Sequence, residues 1–222
     1  MNAAYPARLT LRHGALLLDL ELPRPVISSA PFGGGMSERR YLVNRSVPPT
    51  FCPPDLEVAA LAELAALNLP ADQTVCAFTA VDVFRFGEGV ALERGVRAAA
   101  FVTAGLGNLA APGLSALAPV RPGTINAFVL LEADLPPAAL VETVQVITEV
   151  KARLLAGRST REGFPGTGTS TDTVTVALLP GRFERYAGAV TPVGRAVARA
   201  FSTALTQALG APEESHEPRT AH

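Results

Sequence analysis

Gly166-Thr167-Gly168-Thr169-Ser170-Thr171-Asp172 runs directly into Thr173-Val174-Thr175-Val176-Ala177-Leu178-Leu179. The second half is rich in β-branched residues and reads as a buried strand. The first half holds two glycines, three threonines, one serine and one carboxylate, with no bulky side chain. Glycine admits positive φ and lets a ligand approach the backbone. The hydroxyls and the carboxylate supply donors, acceptors and a base. A polar loop held by a rigid strand is a common way to present chemistry. The same composition also suits a tight turn whose hydroxyls bond back to their own backbone.

Just upstream, residues 136–156 carry the clearest helical period, with Leu140, Val144, Ile147 and Leu154 on one stripe. Lys151 falls on that stripe and is the only lysine of the chain. An amine aimed at a core needs a carboxylate partner, or else must snorkel past the helix edge. Glu149, two residues away, lies on another face of the helix. Asp172, beside the glycine-threonine loop, is a candidate partner.

Working back toward the N-terminus, 9–11 and 15–22 read as a hairpin about His13-Gly14, and 25–30 as a third strand. Residues 41–47 are extended, and a helix follows from about Pro54 to Leu67. Residues 75–80 and 81–86 read as short strands, Gly87-Glu88-Gly89 as a turn, and 96–103 and 127–131 as apolar strands. Thr191-Pro192 opens a last helix to about Leu209. Strands come first and mixed elements later. This predicts an α+β fold (mixed α/β layers): a single domain over 1–210 with a mostly antiparallel or mixed sheet, about three main helices, and a polar tail over 211–222.

Composition excludes several classes. At 222 residues, with 48% hydrophobic and 18% charged residues, the chain is globular. A net charge of -1 without a basic stripe argues against nucleic acid. The apolar stretch near the N-terminus is broken by Asp19 and Glu21, too short for a leader or a membrane span. Two cysteines outside any CxxC pattern suggest thiols in a reducing compartment, and the expected setting is cytoplasmic. Of three histidines, His216 and His222 lie in the tail, and His13 reads as a turn residue. Common histidine-based hydrolase mechanisms and metal sites are thereby thinned out.

Three further glycine loops stand out: Gly33-Gly34-Gly35, Ala104-Gly105-Leu106-Gly107-Asn108, and Gly123-Thr124-Ile125-Asn126. None has the lysine or spacing of a phosphate loop. Asn44, Asn108 and Asn126 sit at strand ends or glycine turns. They favour such turns for backbone reasons, or else line a site that binds other amides.

Taken in order, these pieces resemble the adenosylcobinamide amidohydrolase family of corrinoid salvage. The matching pieces are Gly33-Gly34-Gly35, Asn44-Arg45 with Val47, Thr103 to Asn108, Gly123 to Asn126, Thr148-Glu149 with Lys151, and Thr167-Gly168-Thr169 with Thr171-Asp172. Tyr186-Ala187-Gly188 and Thr191 to Gly194 also fit. Ser170 stands where the family usually has glycine, and Val150 where alanine is expected.

The resemblance implies a hydrolase that cuts the amide between a corrin propionate arm and aminopropanol. Adenosylcobinamide would yield adenosylcobyric acid and (R)-1-amino-2-propanol for cobalamin (vitamin B12) biosynthesis. It also implies a small-molecule partner, with no nucleic acid and no membrane, and no cofactor or protein metal, the cobalt belonging to the substrate. Substrate contacts are expected at Gly33, Gly34, Gly35, Asn44, Gly105, Gly107, Asn108, Thr124, Asn126, Gly166, Thr167 and Gly168.

Two mechanisms stay open. In one, Asp172 or Glu149 is general base toward water, Lys151 supplies positive charge, and N–H groups of Gly166 to Thr169 cradle the oxyanion. In the other, Thr169 or Thr171 is a covalent nucleophile activated by Lys151. A corrinoid-binding protein without activity, and a phosphate- or nucleotide-binding transferase, are the alternatives from other classes.

Overall fold

The run Thr173–Leu179 lies near the middle of the principal sheet, buried on both faces. The structure, a computed structural model, describes residues 7–117 and 124–210. Gly123, His216, His222 and the expected tail over 211–222 lie outside them.

The strands are β1 (Arg8–Arg12), β2 (Ala15–Ser28), β3 (Gly35–Ser46), β4 (Thr74–Thr79), β5 (Gly87–Glu93), β6 (Val96–Ala104), β7 (Leu109–Ala110), β8 (Ile125–Asp134), β9 (Gly168–Thr169) and β10 (Thr173–Phe183). The helices are α1 (Leu56–Ala66), α2 (Pro137–Leu155) and α3 (Pro192–Gly210). Eight strands form one mixed sheet in the order β4-β3-β2-β10-β8-β6-β5, with β1 pairing on β2, while β7 and β9 make a separate ribbon. The fold is a single-domain α+β architecture.

One connection pattern is used twice. β2 and β3 are antiparallel, α1 follows, and β4 returns parallel to β3. β6 and β8 are antiparallel, α2 follows, and β10 returns parallel to β8. The two units join where β2 and β10 pair antiparallel through Val26–Ser28 and Thr175–Ala177.

The sheet curls. Asn44 on β3 donates to Thr103 on β6 at 2.8 Å, although β2, β10 and β8 lie between those strands in the sheet. The concave face is filled by Leu16, Leu18, Leu42, Phe101, Phe128 and Leu130. Each such side chain contributes on the order of 1.5–3 kcal/mol on burial. The convex face is covered by α2 and α3 over one half, through Ile147, Val197 and Phe201 among others, and by Leu64 of α1 over the other.

Three expectations need correction. Residues 25–30 do not begin a separate strand. β2 continues through Pro23 and Pro25, bending at a register shift between Asp19 and Arg24 where Glu21 takes φ +66°. Pro23 is tolerated there because the bulge interrupts the ladder, which resumes with Arg24 opposite Arg39 and Pro25 opposite Glu38.

Residues 83–85 form a 3-10 turn capped by Asp82, whose carboxylate accepts from Phe84 N, rather than a strand. Gly87 and Gly89 belong to edge strand β5 rather than to a turn. A Cβ on Gly87 would lie 1.9 Å from Ala204 O, and one on Gly89 2.1 Å from Ala200 O. These glycines let α3 lie directly on the strand backbone.

Candidate active site

α2 runs along the convex face with Ile147, Val150 and Leu155 buried, and Lys151 stands at the edge of that packed stripe. Its ammonium donates to Asp172 Oδ2, at the mouth of β10. The two side chains are 12% and 10% exposed, so the pair is largely withdrawn from water. Burying a charge is costly unless it is paired and hydrogen-bonded.

Asp172 meets that condition with three more donors. Thr169 N donates to Oδ2 at 3.1 Å, Ile125 N donates to Oδ1 at 3.0 Å, and the Thr169 hydroxyl donates to Oδ1 at 2.5 Å. One carboxylate thus joins α2, the start of β8 and the glycine-threonine loop.

The loop is shaped to fit. A Cβ on Gly168 would lie 2.4 Å from Asp172 Oδ2 and 2.9 Å from Lys151 Nζ, and one on Gly166 would meet Leu109 at 2.4 Å. Gly168 therefore admits the ion pair, and Gly166 admits the Leu109 side chain. β9 pairs with β7 in the register Leu109↔Thr169 and Ala110↔Gly168. Asn108 Nδ2 donates to Ser170 Oγ at 2.7 Å, and Thr124 Oγ1 donates to Thr171 O at 2.7 Å.

Several backbone donors of the loop are already spent. Gly166 N donates to Arg158 O, Thr167 N to Ala110 O, and Thr169 N to Asp172. The expected oxyanion cradle over Gly166 to Thr169 is thereby mostly occupied by the fold itself.

Asp172 also opens onto a cleft of about 410 Å³. One wall is polar: Ser29, Thr171, Asp172 and Thr173. Phe51, Cys52, Pro53 and Leu56, from the segment between β3 and α1, line the cleft too, with Phe78 of β4 against Phe51, and Pro31 completes the lining. The Phe51 and Phe78 rings pack at 5.1 Å between centroids.

The sequence suggested little of this second wall. Its signal is the proline cluster Pro48, Pro49, Pro53 and Pro54, which reads from sequence merely as the end of a strand. Those prolines hold a short stiff segment beside the end of a parallel strand pair, where ligands often bind.

The other expected contacts fall into distinct places. Asn44 and Asn126 are 1% and 0% exposed. Asn126 Nδ2 donates to Asn44 Oδ1 at 2.7 Å and to Phe78 O at 2.9 Å, while its Oδ1 accepts from Thr173 Oγ1 at 2.9 Å. Both amides are turned inward and bonded to each other, a lock behind the cleft wall rather than a surface facing it.

Gly33 has φ +67°, and its Cβ would lie 2.2 Å from Thr74 O; Gly34 is pressed against Ala30 O, and Gly35 has φ +88°. All three serve the turn from β2 to β3. Gly105 is packed against Val81, with its N–H donating to Thr124 O at 3.1 Å, whereas a Cβ on Gly107 would meet open space. Glu149 is exposed on α2, about 200° around the helix from Lys151. The structure thus unites Asp172, Lys151, Thr169, Thr171 and Gly168, and leaves Glu149 outside that group.

Residues 3–217 match the sequence profile of a family described as adenosylcobinamide amidohydrolase. The chain belongs to that family. No curated protein gives a significant match. Among solved structures, the chain is similar to the PH0078 protein from Pyrococcus horikoshii OT3, at 12% identity and a TM-score of 0.48, over 91% of this chain and 78% of that one. The family is one of amidohydrolases, so the chain falls among hydrolases that act on a corrinoid. Among the described residues, no group of three or more His, Cys, Asp or Glu side chains is placed to hold a metal ion. Among the same residues, no helix is long and apolar enough to cross a membrane.

Proposed function

We infer that the chain hydrolyses the amide between the corrin propionate arm and the aminopropanol of adenosylcobinamide, releasing adenosylcobyric acid and (R)-1-amino-2-propanol. The observation that carries this reading is the shielded Lys151–Asp172 pair, whose Asp172 lines a cleft, in a chain of this family.

Asp172 has its lone-pair positions filled by four donors, so activating a water would displace one of them. The hydroxyl of Thr169 already points its proton at Oδ1, the nucleophile-to-base contact that covalent catalysis needs. Thr169 Oγ bonds to the amide carbon as its proton passes to Asp172. The C–N bond then breaks, the amine leaves with that proton, and water cleaves the resulting ester. Lys151 fixes the carboxylate and balances its charge throughout.

A second reading keeps water as the nucleophile and Asp172 as its base. It is favoured by the cleft, which Asp172 itself lines. We place the reaction in the cytoplasm, where the free thiols Cys52 and Cys76 would persist.

Incubation with adenosylcobinamide, followed by mass spectrometry, tests the function. Adenosylcobyric acid should form with the wild type and not with Asp172→Asn. An acyl adduct on the peptide carrying Thr169 selects the covalent route. Full activity in Thr169→Val removes it in favour of water. A corrinoid that binds and returns uncut defeats the enzyme reading altogether.

A further inference from the structure

We propose that the apolar wall of the cleft, made by Phe51, Pro53, Leu56 and Phe78, is the subsite for the N-alkyl group of the scissile amide, and that it makes the site select secondary over primary amides. The inference rests on the hydrolase reading above and assigns the second wall a role within it. A corrinoid is fringed with carboxamides, and an acid–base pair by itself treats them alike. What sets one arm apart is the aminopropanol on its nitrogen: a short hydrocarbon with a methyl branch and a hydroxyl.

The cleft is divided along that line. Ser29, whose N–H donates to Val174 O at 2.9 Å, groups with Thr171, Asp172 and Thr173, while Phe51 groups with the Phe78 ring and with Pro53 and Leu56 of its own segment. With Asp172 at the carbonyl, a substituent on nitrogen extends toward the apolar side. A primary amide leaves that side unfilled and gains nothing from it.

The wall is preformed. Phe51 is held by the Phe78 ring and by its N–H donating to Pro48 O at 2.9 Å. Leu56 is fixed as the first residue of α1 by Asp55, whose carboxylate accepts from Glu57 N at 2.9 Å and Val58 N at 3.1 Å. A wall set in advance spends little of the binding energy on ordering itself. One methyl group in such a subsite is worth about 10- to 200-fold in discrimination.

The site carries its own reporter. Cys52 lies in the wall and is exposed, whereas Cys76 is buried and its thiol is pushed up to about 12 by burial. The thiolate is the reactive form, so iodoacetamide should modify Cys52 first.

Two measurements test the proposal. The first compares kcat/KM for adenosylcobinamide with that for an analogue whose amide bears ethanolamine, lacking the methyl branch. The wild type should prefer the former by about tenfold or more. Leu56→Ala should bring the ratio toward one, chiefly through KM, with its melting temperature little changed. Leu56→Trp should cut activity on both substrates by filling the cleft. A ratio untouched by Leu56→Ala overturns the subsite while leaving the hydrolase reading intact.

The second follows the initial rate of Cys52 alkylation, read by peptide mass, and does not need turnover. Adenosylcobinamide should slow it, and adenosylcobyric acid, which lacks the N-alkyl group, should not. Equal protection by both, or by neither, overturns the proposal even if the wild type cuts no corrinoid.

Discussion

Two loops of this chain look alike on paper and do different work. Gly33-Gly34-Gly35 and Gly166 to Asp172 are both glycine-rich, and both lead into a strand. In the first, the glycines answer to backbone alone: positive φ at Gly33 and Gly35, and carbonyls of Thr74 and Ala30 where side chains would be. In the second, Gly168 answers to a charge pair, since its missing Cβ leaves the space used by Asp172 and Lys151. Glycine alone does not mark a site. What distinguishes Gly168 is the shielded ion pair it is packed against.

The largest effect that would break this comparison comes from removing one charge. Lys151→Met leaves Asp172 largely shielded without its cation, and should cost about 3–5 kcal/mol of stability. Urea denaturation measures this, and a loss near zero would mean the pair is solvated in solution. Activity on adenosylcobinamide should fall with it. Lys151→Arg should recover stability better than activity, because the bulkier guanidinium must share the space beside Gly168.

Next in size are the two glycines. Gly33→Ala and Gly168→Ala should each destabilise by about 1–3 kcal/mol. Their signatures should separate: Gly33→Ala lowers the melting temperature while the folded fraction keeps its turnover, and Gly168→Ala lowers turnover of the folded fraction. Identical signatures would erase the distinction between the loops.

Asn126→Leu should cost about 1–3 kcal/mol, since it strands Asn44 and the Phe78 carbonyl inside the curled sheet. Any change in activity should follow Thr173 and Phe78, which bond to Asn126 and line the cleft.

The smallest effect lies outside both loops. Arg40, bonded through Nε to Asp19 Oδ1 at 2.8 Å, holds the Asp19 carboxyl below the usual carboxylate range. A lowered folded-state value means the pair stabilises above about pH 4, near the unfolded carboxylate value. That contribution is lost as pH falls through the lowered folded value. Arg40→Ala should destabilise the fold only slightly at neutral pH, the pair being partly open to water, with the difference vanishing in acid. A pH-independent difference would assign the effect to packing.

How much of this was legible beforehand depends on the residue. Lys151 was legible because an amine on an apolar stripe demands a partner, and Asp172 was the carboxylate beside the loop most suited to meet it. α2 and α3 were legible through their period and Thr191, whose hydroxyl accepts from Gly194 N at 3.0 Å. The inward turn of Asn44 and Asn126 was not, because it depends on the curl that brings β3 against β8 and β6. The strand character of Gly87 and Gly89 was hidden for a similar reason: only α3, more than a hundred residues downstream, explains why no side chain stands there. The second wall of the cleft was missed because Phe51, Leu56 and Phe78 have no chemistry to announce them individually.

The single lysine has a further consequence. A protease specific for lysine finds one bond in the whole chain, after Lys151, and that bond lies within α2 beneath the latch to Asp172. Cleavage there requires the helix to open locally, so the appearance of two fragments of 151 and 71 residues times that opening directly. Any corrinoid that stiffens the latch should lengthen the time, which turns one residue into a gauge of the motion around it.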